Sequence, residues 1–242
     1  MALVLITGAS GGIGRALAEK LLQDGHQVAR VTRDASRLQE VSDAIVADCS
    51  TEAGAELALS QTLERFGRAP ESIVHAAGNT LIAPVSRTSE VQYRAVMAAN
   101  LDSAFFLSRA AITAWSGSRF GCLLFFSSVV AGIGVANHAA VAAAKAGVEA
   151  LTRSLAADYA KDGLRVNCIA PGLMRTPMTE RMLAHESASR QIAAQYPLGR
   201  HGQAADAVAL ASFLLGEQAS WITGQVIALD GGFSAVRPYV KV

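Results

Sequence analysis

The residues of this 242-residue chain that point most directly to chemistry lie near its start. There the apolar run Val4-Leu5-Ile6 breaks into Thr7-Gly8-Ala9-Ser10-Gly11-Gly12-Ile13-Gly14. A helical pattern then resumes through Ala16, Leu17, Ala18, Leu21 and Leu22 and closes at Gly25. Glycines at 8, 12 and 14 suit a tight reversal after a strand, an approach of backbone to a phosphate, and close packing of the next helix on a sheet. The unpaired amides opening such a helix favour an anion. A glycine turn alone is unspecific; the strand before it and the helix after it give it the context of a nucleotide site. Cysteine carries less. Cys49, Cys122 and Cys168 are odd in number, far apart, and inside or beside apolar runs, which predicts buried reduced thiols rather than a disulfide or a metal site. Nothing in the spacing of His185 and His201 suggests metal ligation.

Elements must hold these residues in place. Strands are predicted at Val4 to Ile6, Gln27 to Thr32, Ala44 to Ala47, Ile73 to Ala76, Leu123 to Phe126, Arg165 to Ala170 and Val226 to Leu229. Between them, Arg33 to Glu40 reads as a turn and short helix. A helix from about Thr51 to Phe66 has Leu57, Leu59 and Leu63 as its apolar residues and is broken by Gly67 and Pro70. Two helical segments cover Ser89 to Ala114, a long alanine-rich helix covers Asn137 to Lys161, and a last helix covers Gln203 to Leu215. Met174 to Tyr196 is less regular and reads either as a lid over a site or as an amphipathic surface helix. Strands alternating with helices predict an α/β fold: a single doubly wound Rossmann domain over residues 1–242, with a seven-stranded, mostly parallel sheet and helices on both faces. Such sheets bind ligands beyond the carboxyl ends of their strands. Gly8 to Gly14, Ala77-Gly78, Ser127-Ser128 and Pro171-Gly172 each follow a predicted strand, so they are expected on one rim.

Bulk properties narrow the partners. A net charge of +1 with 17% charged residues provides no basic or acidic block for nucleic acid or an anionic membrane. No apolar run reaches the roughly 18 residues of a membrane span, and no charged leader with a cleavage-like site opens the sequence. A cytoplasmic protein acting on a small molecule is expected.

With these residues in view, the sequence resembles the short-chain dehydrogenase/reductase family over nearly its whole length. Thr7 to Gly14 matches that family's Thr-Gly-x-x-x-Gly-x-Gly turn. His75-Ala76-Ala77-Gly78 is similar to its Asn-Asn-Ala-Gly segment on the adenine side. Asp48, beside Cys49, stands where the family has an aspartate near the adenine, and Asn100 where it has an asparagine in the proton relay. Pro171-Gly172 with Thr176 is similar to the segment that wraps the nicotinamide. The resemblance implies a nicotinamide dinucleotide held by Gly8, Ser10, Gly12, Ile13, Gly14, Thr32, Arg33, Asp48, Cys49, Ala77, Gly78, Lys145, Pro171, Gly172 and Thr176. A carboxylate at the end of the second strand favours a ribose hydroxyl and a cation favours a 2′-phosphate. Thr32-Arg33 stands there, with Arg15 near and Asp34 able to offset Arg33, so NADP is expected over NAD. The family also implies a homo-oligomer, a tetramer or a dimer, built on the helices after the fourth and fifth strands; the alanines from Ala139 to Ala160 permit close helix contact and equally suit packing on the sheet. The tail from Phe233 to Val242, with Pro238 and Tyr239, reads as a contact with a neighbouring subunit.

The family's chemistry uses a serine, a tyrosine and a lysine. Hydride reaches a carbonyl carbon, the tyrosine protonates the oxygen, the serine steadies it, and the lysine lowers the tyrosine pKa and holds the ribose. Lys145 matches the lysine and Ser128 the serine, with Ser127 beside it. One helical turn before Lys145, where the tyrosine is expected, stands Val141, which has no proton to give. His138 is the nearest ionisable residue on roughly the same helical face, and an imidazole is a competent acid near neutral pH. As an alternative it is a capping or surface histidine. Three functions follow: a carbonyl reductase or alcohol dehydrogenase with Ser128, Lys145, Asn100 and His138 at its catalytic end; a non-catalytic or regulatory nucleotide-binding subunit; or a dehydratase or isomerase using His138 as base. The surrounding substrate pocket, from Ser128 to Gly134, Leu81 to Val85 and Met174 to Tyr196, is apolar or small and suits an uncharged or acyl-like substrate.

Overall fold

A computed structural model describes residues 1–38, 44–116 and 121–237. In chain order, β1 (Leu3–Thr7), α1 (Gly12–Gln23), β2 (Gln27–Thr32) and β3 (Ile45–Val46) are followed by α2 (Glu52–Phe66) and β4 (Ser72–His75). Helices α3 (Glu90–Met97) and α4 (Ser103–Trp115) precede β5 (Cys122–Phe126), α5 (Ala139–Tyr159) and β6 (Arg165–Pro171). The remainder comprises β7 (Met174–Arg175), α6 (Glu180–Leu183), α7 (Glu186–Ala193), β8 (Gly202–Gln203), α8 (Ala204–Leu215) and β9 (Val226–Leu229).

Seven strands form one sheet in the order β3-β2-β1-β4-β5-β6-β9, every pair parallel. The expected α/β fold is present. Strand order reverses between β1 and β4, and the crevice at their carboxyl ends is where such sheets take ligands. The period-two alternation of β1 divides the core. Leu3 and Leu5 face α2, α4 and α5 with Ala58, Leu107 and Val148, whereas Val4 and Ile6 face α1 and α8 with Leu17, Leu21 and Leu214. Each fully buried aliphatic side chain here is worth about 1.5–3 kcal/mol.

Local signals set the helix ends. Thr51 accepts from the Gly54 amide to start α2, which stops at Gly67 with φ 68°. Ser89 and Gln92 form a capping box at α3. Four details differ from the plain reading of the sequence. In α2, Leu57 and Leu63 are 41% and 53% exposed, and the buried face is Ala55, Ala58, Leu59 and Thr62, because α4 approaches closely enough to need small residues. Leu22 of α1 is likewise exposed. Between α3 and α4, residues Ala98–Asp102 wind as a π-helix, so the two segments run on without a break. The predicted short helix through Glu40 is described only as a 3₁₀ turn at Ala35–Leu38, its end lying outside the described residues. No helix among the described residues is long and apolar enough to cross a membrane.

Candidate active site

All four predicted rim segments open into one cleft of about 1220 Å³. That exceeds the roughly 300–1,000 Å³ of a site for one small ligand, leaving room for a dinucleotide and a second molecule. At one end, Gly8 turns with φ 68°, and a Cβ there would lie 2.6 Å from the Ala77 nitrogen; a Cβ on Gly14 would lie 2.4 Å from the Gly8 carbonyl. Neither position admits a side chain. Thr176 closes over the turn, where a Cβ on Gly12 would meet its Cβ at 2.8 Å. Ser10 Oγ lies 3.2 Å from Thr32 Oγ1, joining the turn to the end of β2. Arg15, Arg33, Asp34, Arg37, Asp48 and Cys49 line this end. The Asp34 carboxylate accepts from the Ser36 amide and hydroxyl, bonds that hold its pKa low, and faces Arg37; it is not committed to Arg33. Asp48 accepts from Ser50 in the same way. Cys49 is buried, and burial pushes its thiol up to about 12.

At the other end stand Asn100, Ser128, His138, Val141 and Lys145. Lys145 is 8% exposed and its Nζ donates to the Phe126 carbonyl at 2.7 Å, while burial draws its pKa down to about 8. Asn100 sits in the π-helical segment. Its Nδ2 donates to the Val96 carbonyl at 2.8 Å and to Asn79 Oδ1 at 2.9 Å, and its Oδ1 is buried with no partner. A Cβ on Gly78 would lie 2.7 Å from that Oδ1 and 3.4 Å from Lys145 Nζ, so the three groups crowd together. Ser128 Oγ accepts from the Val130 amide at 3.4 Å, which leaves its proton available. Val141 is buried and packs with Val96 and Ala144. His138 is half-buried at the entry to α5, its Nδ1 2.7 Å from the Ala136 carbonyl. His75 is enclosed instead. Its Nδ1 meets Thr7 Oγ1 at 2.8 Å and its Nε2 meets Ser103 Oγ at 3.0 Å, and burial takes its pKa down to about 3.

A family model described as enoyl-(acyl carrier protein) reductase matches residues 8–234. A 3-oxoacyl-acyl-carrier-protein reductase of Salmonella typhimurium is 34% identical, the match covering 97% of this chain and 98% of the relative. The chain belongs to the short-chain dehydrogenase/reductase family. A tropinone reductase homolog of Arabidopsis thaliana is 31% identical over 95% of this chain and 91% of its own length. Among solved structures, that of 4-hydroxyisoleucine dehydrogenase complexed with NADH superposes with a TM-score of 0.91 at 28% identity, covering 98% of this chain and all of the other. The short-chain dehydrogenase/reductase family comprises NAD(P)-dependent oxidoreductases.

Of the residues that carried the likeness to short-chain dehydrogenases, from the glycine turn to Asn100, Ser128, Lys145 and Pro171-Gly172, Ala9 and His75 are buried away from the cleft and the others named line it. Other residues line the same cleft. Tyr196 is buried, its hydroxyl accepts from the Leu173 amide at 2.8 Å, and its ring sits where a Cβ on Gly172 would come within 2.9 Å. Phe233 stacks on that ring at 5.0 Å. Outside the cleft lining, Glu149, one turn beyond Lys145, accepts from Ser127 Oγ at 2.8 Å. Tyr196 closes the Met174 to Tyr196 segment expected around the substrate, and Phe233 opens the tail expected against a neighbour; nothing in the sequence singled out Glu149. Residues Met174 to Tyr196 form β7, α6 and α7 along the cleft, with Met174, Met178, Met182 and Ile192 on its wall. Among the described residues no group of three or more His, Cys, Asp or Glu is placed to hold a metal.

Proposed function

We propose that the chain is an NADP(H)-dependent carbonyl reductase in which His138 replaces a tyrosine as proton donor. The observation that carries this reading is one continuous cleft with a phosphate-fitting glycine turn at one end and Ser128, Lys145 and His138 at the other. The residues present suit a nicotinamide dinucleotide: backbone crowding keeps the turn free of side chains, and Asn100 holds a buried acceptor open beside Lys145. Gly8 to Gly14 and Thr176 would hold the pyrophosphate, Arg33 with Arg15 the 2′-phosphate, Asp48 the adenine side, and Lys145 a ribose hydroxyl. When bound, the dinucleotide supplies the hydride. Lys145 spends one of its three donors on Phe126 and keeps the others for the ribose. Ser128 donates its hydroxyl proton as a hydrogen bond to the substrate oxygen, and His138 delivers the proton that oxygen needs. Val141 contributes only methyl groups and, with the methionines, an apolar wall suited to a ketone or β-ketoacyl substrate. The names of the two curated relatives, reductases of carbonyl compounds, agree with that class.

Val141 also supports a second reading. It packs into an apolar cluster with Leu81, Met97 and Val130, as a residue would in a nucleotide-binding subunit that has given up turnover. Titration with NADPH and NADH, followed by NADPH consumption over a panel of ketones and β-ketoacyl thioesters, separates the two. The first reading expects turnover and an NADPH preference that Arg33→Ala reduces about tenfold. Binding without turnover, restored by Val141→Tyr, supports the second. A homo-oligomer is part of either reading: an apolar groove between α4 and α5, with Phe105 52% exposed beside Gly147 and Ala150, suits a second copy.

A further inference from the structure

We infer that Asn137 and the Ala136 carbonyl are positioning groups that hold the His138 imidazole in a single tautomer, Nδ1 protonated and Nε2 open to the cleft. A carbonyl oxygen only accepts, so at 2.7 Å from the Ala136 oxygen His138 Nδ1 must carry a proton. The other nitrogen of the neutral ring then holds a bare lone pair, and the ring borders the cleft.

The backbone next to it is built for this. Asn137 has φ 64°, the one non-glycine residue at positive φ among the described residues. Asparagine accepts the left-handed region more readily than most side chains, and β-branched residues accept it least. The Asn137 carbonyl accepts from the Ala83 amide at 2.9 Å, which fastens the loop after β4 to the entry of α5 and holds the reversed turn. That turn folds the His138 ring back onto Ala136, two residues earlier. Unusual backbone angles gather where a side chain must be aimed.

The inference rests on His138 acting in the proposed reaction, and it specifies how. In the reducing direction a doubly protonated ring would give its Nε2 proton to the carbonyl oxygen, a bound dinucleotide would supply the hydride to the carbon, and Nδ1 would keep its proton. In the oxidising direction the neutral ring is already the correct base, because Nε2 takes the alcohol proton without a change of tautomer.

The test is long-range proton–nitrogen NMR on the full-length protein labelled in histidine nitrogen, with the His138 signals assigned by their loss in His138→Gln. Neutral His138 is expected wholly as the Nδ1–H form. Asn137→Val is expected to mix the tautomers and lower kcat at least about tenfold with NADPH affinity retained. Asn137→Gly, which adopts positive φ freely, is expected to restore both the single tautomer and kcat. An Nε2–H or mixed wild-type signal overturns the inference, as does an Asn137→Val protein with the wild-type signal and kcat. An Nδ1–H signal with turnover indifferent to His138→Ala upholds the tautomer and overturns the proposed reaction instead.

Discussion

His75 shows how far a buried side chain can be taken from its ordinary chemistry. The Ser103 hydroxyl donates to the Ala99 carbonyl, so it must accept from His75 Nε2; Nδ1 is then bare and accepts from Thr7. The ring thus ties β1, β4 and α4 together as a neutral group. With its pKa near 3 in the fold and near 6.5 when unfolded, the unfolded chain binds the extra proton between those values. Stability contributed by the neutral ring is therefore lost as pH falls from about 6.5 toward 3. Urea unfolding across that window is expected to show a weaker pH slope in His75→Asn. The glycine turn, Ser128 and Lys145 were readable from sequence because their chemistry lies in residue type and spacing along the chain. The enclosure of His75 was not, since Thr7 and Ser103 meet it only through the sheet and the start of α4.

Among the elements, strands and long helices were legible because periodicity and punctuation mark them. What escaped had no period to read: β7 and β8 are two residues each, and the π-helical segment differs from an α-helix by a single extra residue. That segment carries the buried Asn100 and its unpaired acceptor. Thr51→Ala removes the cap on the Gly54 amide and should cost about 1 kcal/mol in stability by denaturant titration. The tyrosine at the end of the β7–α7 segment behaves differently. Tyr196→Phe removes the acceptor of the Leu173 amide beside Gly172, and is expected to destabilise by about 0.5–1.5 kcal/mol and to raise the apparent KM for the dinucleotide.

For the molecule as a whole, the parallel sheet puts every chemically suggestive turn on one rim, and two core layers hold that rim in register. Lys145 couples the rim to overall stability. Its pKa of about 8 lies below the value near 10.4 of an unfolded lysine, so the ligand-free protein should gain stability as pH rises between them, a trend Lys145→Met removes. If the proposed second copy seats in the α4–α5 groove, Phe105→Asp is expected to shift sedimentation toward a smaller species. The expected contact of the tail is partly outside the described residues, Pro238 and Tyr239 included, while Phe233 turns inward onto Tyr196. The decisive measurement is the single-turnover rate of NADPH oxidation with a ketone that the wild-type protein reduces, compared with His138→Ala. A fall of about 10²–10⁴-fold with NADPH affinity unchanged is expected of a lost proton donor; a His138→Ala protein that reduces the ketone at the wild-type rate would contradict the assignment.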